Sequence, residues 1–224
     1  MTAPLLQFED VALPGDGTRV SFDVPPYRTV AVIGPEASGV DALGTYALDL
    51  RPVPAGRVLL FGEAIAGLSR TATLARRRCV GYLPAGNGLL HNLSLEDNVA
   101  LPLRYGSDLR DREIRGRVRV MLALLRLDEV TGARRPAAAT EEQCRRAAMA
   151  RALAFDPSLL ILAAPFDGLT TRAAAELLEV ARGGETAEGS RRAVLITGQY
   201  IPERLLSRIE IRYRLRGGTL QLET

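Results

Sequence analysis

The segment 31–42, AVIGPEASGVDA, has the glycine spacing of a phosphate-binding loop. An apolar run, TVAVI, leads into Gly34, and Gly39 follows five residues later. In loops of the form G-x-x-x-x-G-K-[ST], the lysine grips the β- and γ-phosphates of a nucleotide and the hydroxyl binds Mg²⁺. Here Val40 and Asp41 occupy the lysine and hydroxyl positions. The frame of a nucleotide site is therefore present without the side chains that would hold the nucleotide.

Two acidic residues of the same segment oppose a bound triphosphate. Glu36 lies inside the loop, and Asp41 lies just beyond Gly39. A like-charge contact at about 4 Å costs on the order of 4 kcal/mol at an effective dielectric constant of about 20, whereas micromolar binding is worth about 8 kcal/mol in total. The loop is therefore predicted to have lost most of its affinity for ATP. Asp41 is predicted instead to stabilise the helix that follows, because it places a negative charge at the N-terminus of that helix. Ser38 is not predicted to be a nucleophile, because no residue nearby in the sequence could act as its base.

The charge pattern is typical of a solvated surface. The 224 residues include 29 basic and 26 acidic ones, and every basic residue is an arginine. The two signs are interleaved along the chain, which disfavours a nucleic-acid-binding face. The cluster ARRRC at 75–79 is interpreted in the same way, as an exposed helix face, with binding to anionic lipid headgroups as the alternative.

The cysteines, the histidine and the apolar runs exclude several classes of protein. Cys79 and Cys144 lie far apart and His91 is the only histidine, so no zinc-binding spacing is present. No basic segment precedes an apolar core at the N-terminus, so no signal peptide is predicted. The longest apolar run, 159–166, falls far short of the ~20 residues of a membrane helix. We expect a cytoplasmic protein, which another chain must hold if it works at a membrane.

Short apolar strands alternate with helices at both ends of the chain, around a helical middle. Apolar residues recur at helix spacing in 109–127, and Thr140 is a predicted N-cap followed by two glutamates. The predicted strands are 5–13, 18–24, 29–33, 56–62, 79–83, 158–165 and 193–197, with a turn at 14–17 between the first two. The predicted helices are 40–50, 68–78, 109–127, 140–155, 170–184 and 202–209, and 210–223 is a predicted hairpin. This alternation favours a mostly parallel sheet.

Five segments, in order, resemble the landmarks of the nucleotide-binding domain of ABC transporters. They are similar to the Walker A loop, the Q-loop with the start of the helical subdomain, the signature motif with its helix, the Walker B strand with the D-loop, and the switch-histidine strand with its closing hairpin. They read AVIGPEASG (31–39), GYLPAGNGLLHNLSLEDNVALPLR (81–104), RRPAAATEEQCRRAAMARALAFDP (134–157), LLILAAPFDGLT (159–170) and VLITGQYIPERLLSRIEIRYRLRGGTL (194–220). Because the resemblance covers nearly the whole chain, an unrelated α/β domain with a chance GxxxxG is the weaker interpretation.

The resemblance implies an α/β fold of the P-loop NTPase class and the ABC type. This fold has a mostly parallel sheet core, an antiparallel β subdomain and a helical subdomain insert. One domain, 1–224, is expected, with its core at about 1–84 and 156–224 and the helical subdomain at about 85–155. Within the family, GRVLLFGEAIAGLSR, NVALPLR and RRAAMARAL look most like the ATPases of MCE-type (Mla) lipid transporters, followed by lipoprotein-release and cell-division ATPases.

The positions to which the resemblance assigns nucleotide chemistry carry other residues here. The Q-loop glutamine, the Walker B aspartate, the catalytic glutamate, the switch histidine and the D-loop aspartate fall at Ala85, Ala163, Ala164, Gly198 and Thr170. The signature LSGGQ falls at Ala139, Thr140, Glu141, Glu142 and Gln143, so that glutamates replace both of its glycines. No aromatic residue stands in 11–17 to stack on adenine.

These losses predict a non-catalytic subunit of a membrane transporter, of the lipid-transporting MCE type. No metal and no cofactor are expected, and ATP with Mg²⁺ would be a ligand only if the pocket is still competent. The resemblance implies a protein on the cytoplasmic, inner face of the membrane. Its partners would be a permease and either a second ABC ATPase or another copy of itself, without nucleic acid. The permease contact is expected after the Q-loop, at Leu89, Leu90, His91, Asn92 and Leu93.

Two other functions stay open on the sequence. One is a weak ATPase or nucleotide sensor that uses Asp167 as a surrogate carboxylate and Arg76, Arg77 or Arg78 for charge, although Asp167 is more typical of a loop cap. The other is a free-standing regulatory or nucleic-acid-binding module. A catalytic role for His91 lacks a positioned partner, which leaves the permease contact or a solvent-exposed loop.

Overall fold

We describe a computed structural model that covers residues 3–15, 17–184 and 192–223. The strands are β1 (Leu6–Ala12), β2 (Arg19–Val24), β3 (Thr29–Ile33), β4 (Arg57–Leu60), β5 (Glu63–Ala64), β6 (Val80–Leu83), β7 (Leu159–Ala163), β8 (Ala193–Gly198), β9 (Ile211–Arg216) and β10 (Thr219–Glu223). The helices are α1 (Ala42–Ala47), α2 (Arg70–Arg78), α3 (Leu95–Gly106), α4 (Asp111–Leu124), α5 (Glu129–Gly132), α6 (Glu141–Ala152) and α7 (Thr171–Arg182). Short 3-10 turns are formed by Glu36–Ser38, Pro136–Ala138 and Glu203–Arg208.

The larger sheet has six strands in the order β10-β9-β3-β8-β7-β6. Neighbouring strands from β9 to β6 are parallel, and β10 runs antiparallel to β9. Strands β3, β7 and β8 are buried along their whole length, as expected of strands that are covered on both faces. The predicted mostly parallel core and the predicted hairpin at 210–223 are confirmed.

The smaller sheet has four antiparallel strands in the order β2-β1-β4-β5. In β2, Val20, Phe22 and Val24 are buried and the residues between them are exposed, as in a strand with one solvated face. This sheet is the predicted antiparallel subdomain. The turn predicted at 14–17 includes Asp16, which lies outside the described residues.

The central strands divide their side chains between two hydrophobic clusters, because successive residues of a strand point to opposite faces of the sheet. Leu160 and Leu162 of β7 belong to the cluster that includes residues of α3, α6 and α7. Leu159 and Ile161 belong to the cluster that includes α1 and the smaller sheet. The larger sheet is therefore the middle layer, and the carboxyl ends of its strands form the edge where a site can be built.

Helices α3 to α6 follow one another between β6 and β7 and pack on each other and on β6. Helix α3, which the sequence patterns did not single out, begins at Ser94, whose hydroxyl accepts a hydrogen bond from the Asp97 amide at 3.0 Å. The predicted N-cap Thr140 is confirmed at the start of α6. The division into core and helical subdomain at about 84 and 156 stays a prediction.

The helices of the described residues are short, and none combines the length and the apolar character needed to cross a membrane.

Two elements are smaller than predicted. The helix predicted at 40–50 is reduced to Ala42–Ala47, because a 3-10 turn precedes it and ends at Gly39 with a φ of 72°. The helix predicted at 202–209 is the 3-10 turn Glu203–Arg208.

Candidate nucleotide site

The carboxyl ends of β3, β8 and β7 lie side by side and bring together four positions singled out from the sequence. Gly34 follows β3, and its amide donates to the carbonyl of Gly198 at 3.0 Å. Ala164 follows Ala163 at the end of β7, and its amide donates to the carbonyl of Thr197 at 2.7 Å. A Cβ placed on Gly198 would lie 3.4 Å from Cα of Ala164. The positions of the two Walker B acids and the switch histidine are thus adjacent, and they carry only methyl groups and a hydrogen atom.

The side chains at this edge offer little to a metal ion. Among the described residues, no group of three or more His, Cys, Asp or Glu is placed to hold one. Ala85, two residues after the end of β6, is an exposed methyl group. Thr170, at the D-loop position, is the N-cap of α7, where its hydroxyl accepts from the Ala173 amide at 3.2 Å. None of the side chains at Ala85, Ala163, Ala164, Thr170 and Gly198 is an acid or a base.

The glycine loop is closed on itself. The Ser38 amide donates to the carbonyl of Pro35 at 2.9 Å, and the Ser38 hydroxyl donates to the same carbonyl at 2.6 Å. The Gly39 amide donates to the carbonyl of Glu36 at 3.1 Å. Pro35 itself has no amide hydrogen. A phosphate-binding loop needs backbone amides that point at the anion, and in this loop the amides of Ser38 and Gly39 are used internally.

Val40, at the lysine position, is part of the core. Its side chain is completely buried and belongs to the same cluster as Leu43 and Tyr46 of α1. A lysine at this position would place its ammonium group in an apolar environment unless the side chain reached solvent or the loop opened. The valine therefore suits a loop that packs against its own domain.

Asp41 stands directly before α1, as predicted, but its side chain makes no capping hydrogen bond. The backbone of Asp41 is already helical, and its carboxylate accepts no hydrogen bond from the helix. Burial raises the pKa of Asp41 above its usual 3.8, and the charges of Glu36 and Asp167 raise the pKa further. The ionised form of this carboxylate is therefore disfavoured, first by burial and then by like charge.

Asp167 and Tyr82 complete this acidic corner. The interpretation of Asp167 as a loop cap is wrong, because only its backbone groups make hydrogen bonds within the described residues. Tyr82 of β6 lies against α1, where a Cβ on Gly44 would be 2.9 Å from its ring. Burial raises the pKa of the Tyr82 phenol, and the charge of Asp41 raises it further. A single tyrosine in a short strand carries no signal that would have identified this position from the sequence.

The signature-like segment forms a capped start of α6. The Thr140 hydroxyl accepts from the Gln143 amide at 3.2 Å, and the Gln143 side chain accepts from the Thr140 amide at 3.0 Å. This reciprocal pair satisfies two backbone amides at the start of the helix. Glu141 and Glu142 fill the first turn, and Ala139 precedes the cap in extended backbone. The helix start is therefore both satisfied and negatively charged.

Arg145, four residues after Glu141, reaches the turn that follows β7. Its guanidinium donates to the carbonyls of Ala164 at 3.3 Å and Asp167 at 3.5 Å, and it lies 3.8 Å from the Glu141 carboxylate. The side chain is 3% exposed. The Glu141 carboxylate also covers Gly168, where a Cβ would lie 2.6 Å from it. These contacts join the signature-like segment to the turn after the Walker B position.

Arg146 forms a second network, which connects α6 to α7. It donates to Glu142 and to Glu176 of α7, each at 2.9 Å, and Glu176 also accepts from Arg172 at 3.3 Å. The hydrogen bond from Arg146 is the main cause that lowers the pKa of Glu176. Neither network was predicted from the sequence. The signal was present in EEQCRR, where each glutamate precedes an arginine by four residues.

The predicted permease contact lies partly at the surface. Four of its five residues are exposed or half-buried, namely Leu90, His91, Asn92 and Leu93. Leu89 is 5% exposed and packs in the core, so it supports this surface from below and does not belong to it. The buried Asn98 side chain holds the segment in place, because it accepts from the Leu90 amide at 2.7 Å and donates to the Leu90 carbonyl at 3.0 Å.

The parallel core sheet, with a glycine loop after β3, defines an α/β domain of the P-loop type. Residues 18–167 match the sequence family of ABC transporters. The chain belongs to this family.

Known relatives extend beyond the length of this chain. The sulfate/thiosulfate import ATP-binding protein CysA 1 of Chromobacterium violaceum is 35% identical over 162 residues, which are 70% of this chain and 43% of that protein. The Fe(3+) ions import ATP-binding protein FbpC of Mesorhizobium japonicum is 33% identical over 170 residues, which are 72% of this chain and 46% of that protein. This chain thus spans less than half the length of these relatives.

Among solved structures, the ATP-binding cassette MJ0796 has the same fold. That protein was solved as a dimer in a post-hydrolysis state bound to ADP and Pi. It matches this chain with a TM-score of 0.84 at 19% identity, and the match covers 98% of both chains. The likeness extends through the core, the smaller sheet and the helical segment.

Proposed function

We propose that this chain is a non-catalytic subunit of an ABC transporter, which keeps the family fold but neither binds nor hydrolyses ATP. The observation that carries the proposal is the closed glycine loop, in which the amides of Ser38 and Gly39 are bonded internally and Val40 is buried at the lysine position. A nucleotide would have to open this loop and then face Glu36 and Asp41. The alanines and glycine at the Walker B and switch positions add support, since they leave no group to bind Mg²⁺ or to orient water.

The proposed subunit works on the cytoplasmic face of a membrane, bound to a permease and to a second ABC ATPase. Support comes from membership of the family and from the relatives, which are named as ATP-binding proteins of import systems. A second copy of the chain is the less favoured partner. The head-to-tail pairing that the family resemblance implies would place the acidic start of α6 of one copy against Glu36 and Asp41 of the other, and like charges at an interface oppose association.

In this proposal, the other subunits of the transporter determine which substrate is transported. The sequence resemblance predicts a lipid of the MCE type, whereas the relatives described above are named for import of sulfate or thiosulfate and of Fe(3+). The lipid assignment stays a prediction. A subunit without nucleotide chemistry leaves the choice of substrate to the permease.

A weak ATPase is the competing function and has less support. The cations proposed for it from the sequence are largely engaged, because Arg76 pairs with Glu63 and Arg77 donates to two backbone carbonyls after α1. The surrogate carboxylate, Asp167, lies among other acids and raises the pKa of Asp41. A phosphate group would meet the same repulsion at this corner.

A thermal melt with and without Mg-ATP tests the proposal. A ligand present at about a hundred times its Kd stabilises the fold by about 2.7 kcal/mol, which raises the Tm of a domain of this size by roughly 5–11 °C. We expect no shift at about 10 mM Mg-ATP, a hundredfold excess over a Kd of about 100 μM, and no phosphate release above background. An ABC ATPase of known activity serves as the positive control. A shift of that size, or a turnover that co-elutes with the protein and falls in Asp167→Asn, supports the weak ATPase instead.

A further inference from the structure

A cavity of about 150 Å³ lies between the β9–β10 hairpin and the segment that follows β8. Ala31 and Ile33 of β3 line it, and both are buried. These two residues belong to the hydrophobic cluster that includes α3, α6 and α7, whereas Val40 and α1 belong to the other cluster. The cavity therefore lies on the face of the larger sheet opposite to α1.

The sequence of β9 brings positive charge to this cavity. Strand β9 alternates apolar side chains with arginines, and its apolar side chains pack in the cluster of α1 and the smaller sheet. Arg212 and Arg214 therefore point to the other face, where the parallel register places them beside Ala31 and Ile33. Strands of a parallel core are usually apolar on both faces. Here two guanidinium groups stand next to a buried apolar surface instead.

Arg212 uses little of its hydrogen-bonding capacity. Its guanidinium donates to the carbonyl of Leu206 at 3.2 Å, and within the described residues this side chain has no other hydrogen bond and no ion pair. A guanidinium carries several N–H donors in a planar fork, which matches the oxygens of a carboxylate or a phosphate. Arg212 is half-buried, so its remaining donors face a region that is partly shielded from water.

Arg214 is already paired inside the cavity. Its Nε and Nη2 atoms donate to the two carboxylate oxygens of Glu223, the Nη2 atom at 3.3 Å. The hydrogen bond from Arg214 is the main cause that lowers the pKa of Glu223, and the charges of Arg216 and Arg212 lower it further. Two arginines and one glutamate line the cavity, which leaves it with a net positive charge.

The exposure of the arginines distinguishes this cavity from an ordinary solvated row of charge. Arg216 lies on the same face of the same strand, and it is exposed to solvent and outside the cavity. Arg212 is instead half-buried beside Ala31. A cation taken partly out of water without a carboxylate partner favours the approach of an anion.

We propose that this cavity binds a small anion through a carboxylate or phosphate group, which Arg212 and Arg214 hold, and that Glu223 competes with the anion for Arg214. The side-chain amide of Gln199, which also lines the cavity, offers further N–H donors. Tyr200 lines the cavity as well and is 64% exposed, so the site is open to solvent on this side. The inference does not depend on the proposed function, because the site lies on the other face of the sheet from Val40 and α1.

The size of the cavity limits the ligand. Pockets for drug-sized ligands have volumes of about 300–1,000 Å³, so this cavity suits a smaller ion. Inorganic phosphate and succinate represent the two chemistries, since each is compact and presents oxygens to a guanidinium fork.

Titration of the full chain with inorganic phosphate and, separately, with succinate tests this proposal. The ionic strength is kept constant with NaCl, isothermal calorimetry measures the affinity, and the NMR signals of the arginine Nε–Hε groups locate the ligand. We expect at least one of the two anions to bind with a Kd of about 1 mM or below and to shift the signals of Arg212 and Arg214. Binding of phosphate alone or of succinate alone identifies the group that the site accepts.

Three variants then assign the binding to the cavity. Arg212→Gln should weaken binding about tenfold or more, because it removes charge-assisted hydrogen bonds. Glu223→Gln should strengthen binding about threefold, because it removes the competing carboxylate. Arg216→Gln is the matched control and should change the Kd less than about twofold, because exposed charges contribute little. Melting curves verify that each variant is folded, and if Arg212→Gln is not, Arg212→Lys replaces it and should also bind more weakly, because it keeps the charge without the fork.

Several results would overturn the proposal. One is the absence of binding by both the wild type and Glu223→Gln at about ten times the expected Kd. Binding that Arg212→Gln leaves unchanged would place the anion elsewhere, for example at the glycine loop. Equal weakening by Arg212→Gln and Arg216→Gln would indicate a diffuse attraction to the basic strand, and weaker binding by Glu223→Gln would show that Glu223 contacts the ligand and does not compete with it.

Discussion

The glycine loop (34–41) and the start of α6 (140–146) are both regions that the family resemblance assigns to phosphate contact, and each is closed by a different kind of interaction. In the loop, backbone amides bond to backbone carbonyls three residues earlier and Val40 fills the core. At α6, side chains close the helix end, through the pair of Thr140 with Gln143 and through two glutamates that each face an arginine. The first closure is local and apolar, whereas the second extends to β7 and α7.

This difference predicts where stability resides. A locally closed loop can be reopened or broken by a change at one position. A closure made of charged side chains depends on partners in other elements, so its removal leaves charges unpaired elsewhere. Introducing a buried charge into the loop should therefore destabilise the fold. At α6, removing a charged side chain should destabilise it.

The largest effect is expected for Val40→Lys, which places a cation at a completely buried position. An unpaired buried charge costs about 3–5 kcal/mol, whereas Val40→Met, of similar size to lysine but uncharged, should cost about 1–3 kcal/mol. Urea unfolding of the two variants measures the difference. Two results together would show that the loop opens readily and that its closure does not differ from that of α6. Val40→Lys would be as stable as Val40→Met, and Val40→Lys combined with Asp41→Ser would bind Mg-ATP with a Kd below about 100 μM.

The second effect concerns Arg146, whose side chain is 11% exposed and bonds to Glu142 and Glu176. We expect Arg146→Met to cost about 2–3 kcal/mol, less than for a fully buried pair because both glutamates reach solvent. Arg172→Met is the matched control, since Arg172 bonds to the same Glu176 but is 85% exposed, and it should cost less than about 0.5 kcal/mol.

The pH dependence of this effect has a defined sign. The pKa of Glu176 is lowered in the folded chain from its usual 4.5, chiefly by the hydrogen bond from Arg146. The folded state therefore binds fewer protons than the unfolded state, and the stabilisation is present above 4.5 and is lost as the pH falls through the folded pKa. The gap between the wild type and Arg146→Met should narrow in acid. If the stability difference between the wild type and Arg146→Met does not change with pH, the cost of Arg146→Met comes from packing alone.

The smallest effect is expected for Asp41→Asn, which removes one charge from the crowded acidic corner. The folded pKa of Asp41 is raised, so its ionised form disfavours folding, and the stability of the wild type should fall as the pH rises from 3.8 through the raised pKa. We expect Asp41→Asn to gain a few tenths of a kcal/mol at neutral pH, because solvent screens an exposed carboxylate, and to gain nothing well below pH 3.8. Asp111→Asn is the contrasting variant, since Asp111 lies in the first turn of α4 and its loss should destabilise slightly. Equal signs for the two variants would contradict the account of Asp41.

The sequence alone determined the architecture and the residue types at the positions to which the family resemblance assigns nucleotide chemistry. Buried strands such as TVAVI and LLILA are apolar throughout, and Thr140 with Gln143 has the spacing of a helix start, so these elements follow from local patterns. The missing lysine, acids and histidine are properties of residue identity, which the order of the landmarks was sufficient to locate.

Only the tertiary structure decided how the glycine loop and the start of α6 are arranged. The burial of Val40 and the raised pKa of Asp41 depend on residues far along the chain, because Val40 belongs to a cluster that includes Ile161 and the charge of Asp167 adds to the shift of Asp41. The reach of Arg145 to Ala164 likewise depends on which elements pack together. Local sequence patterns determine which side of a helix or strand is apolar. The electrostatic environment and the contacts of a side chain come from neighbours that only the folded chain brings within a few ångströms.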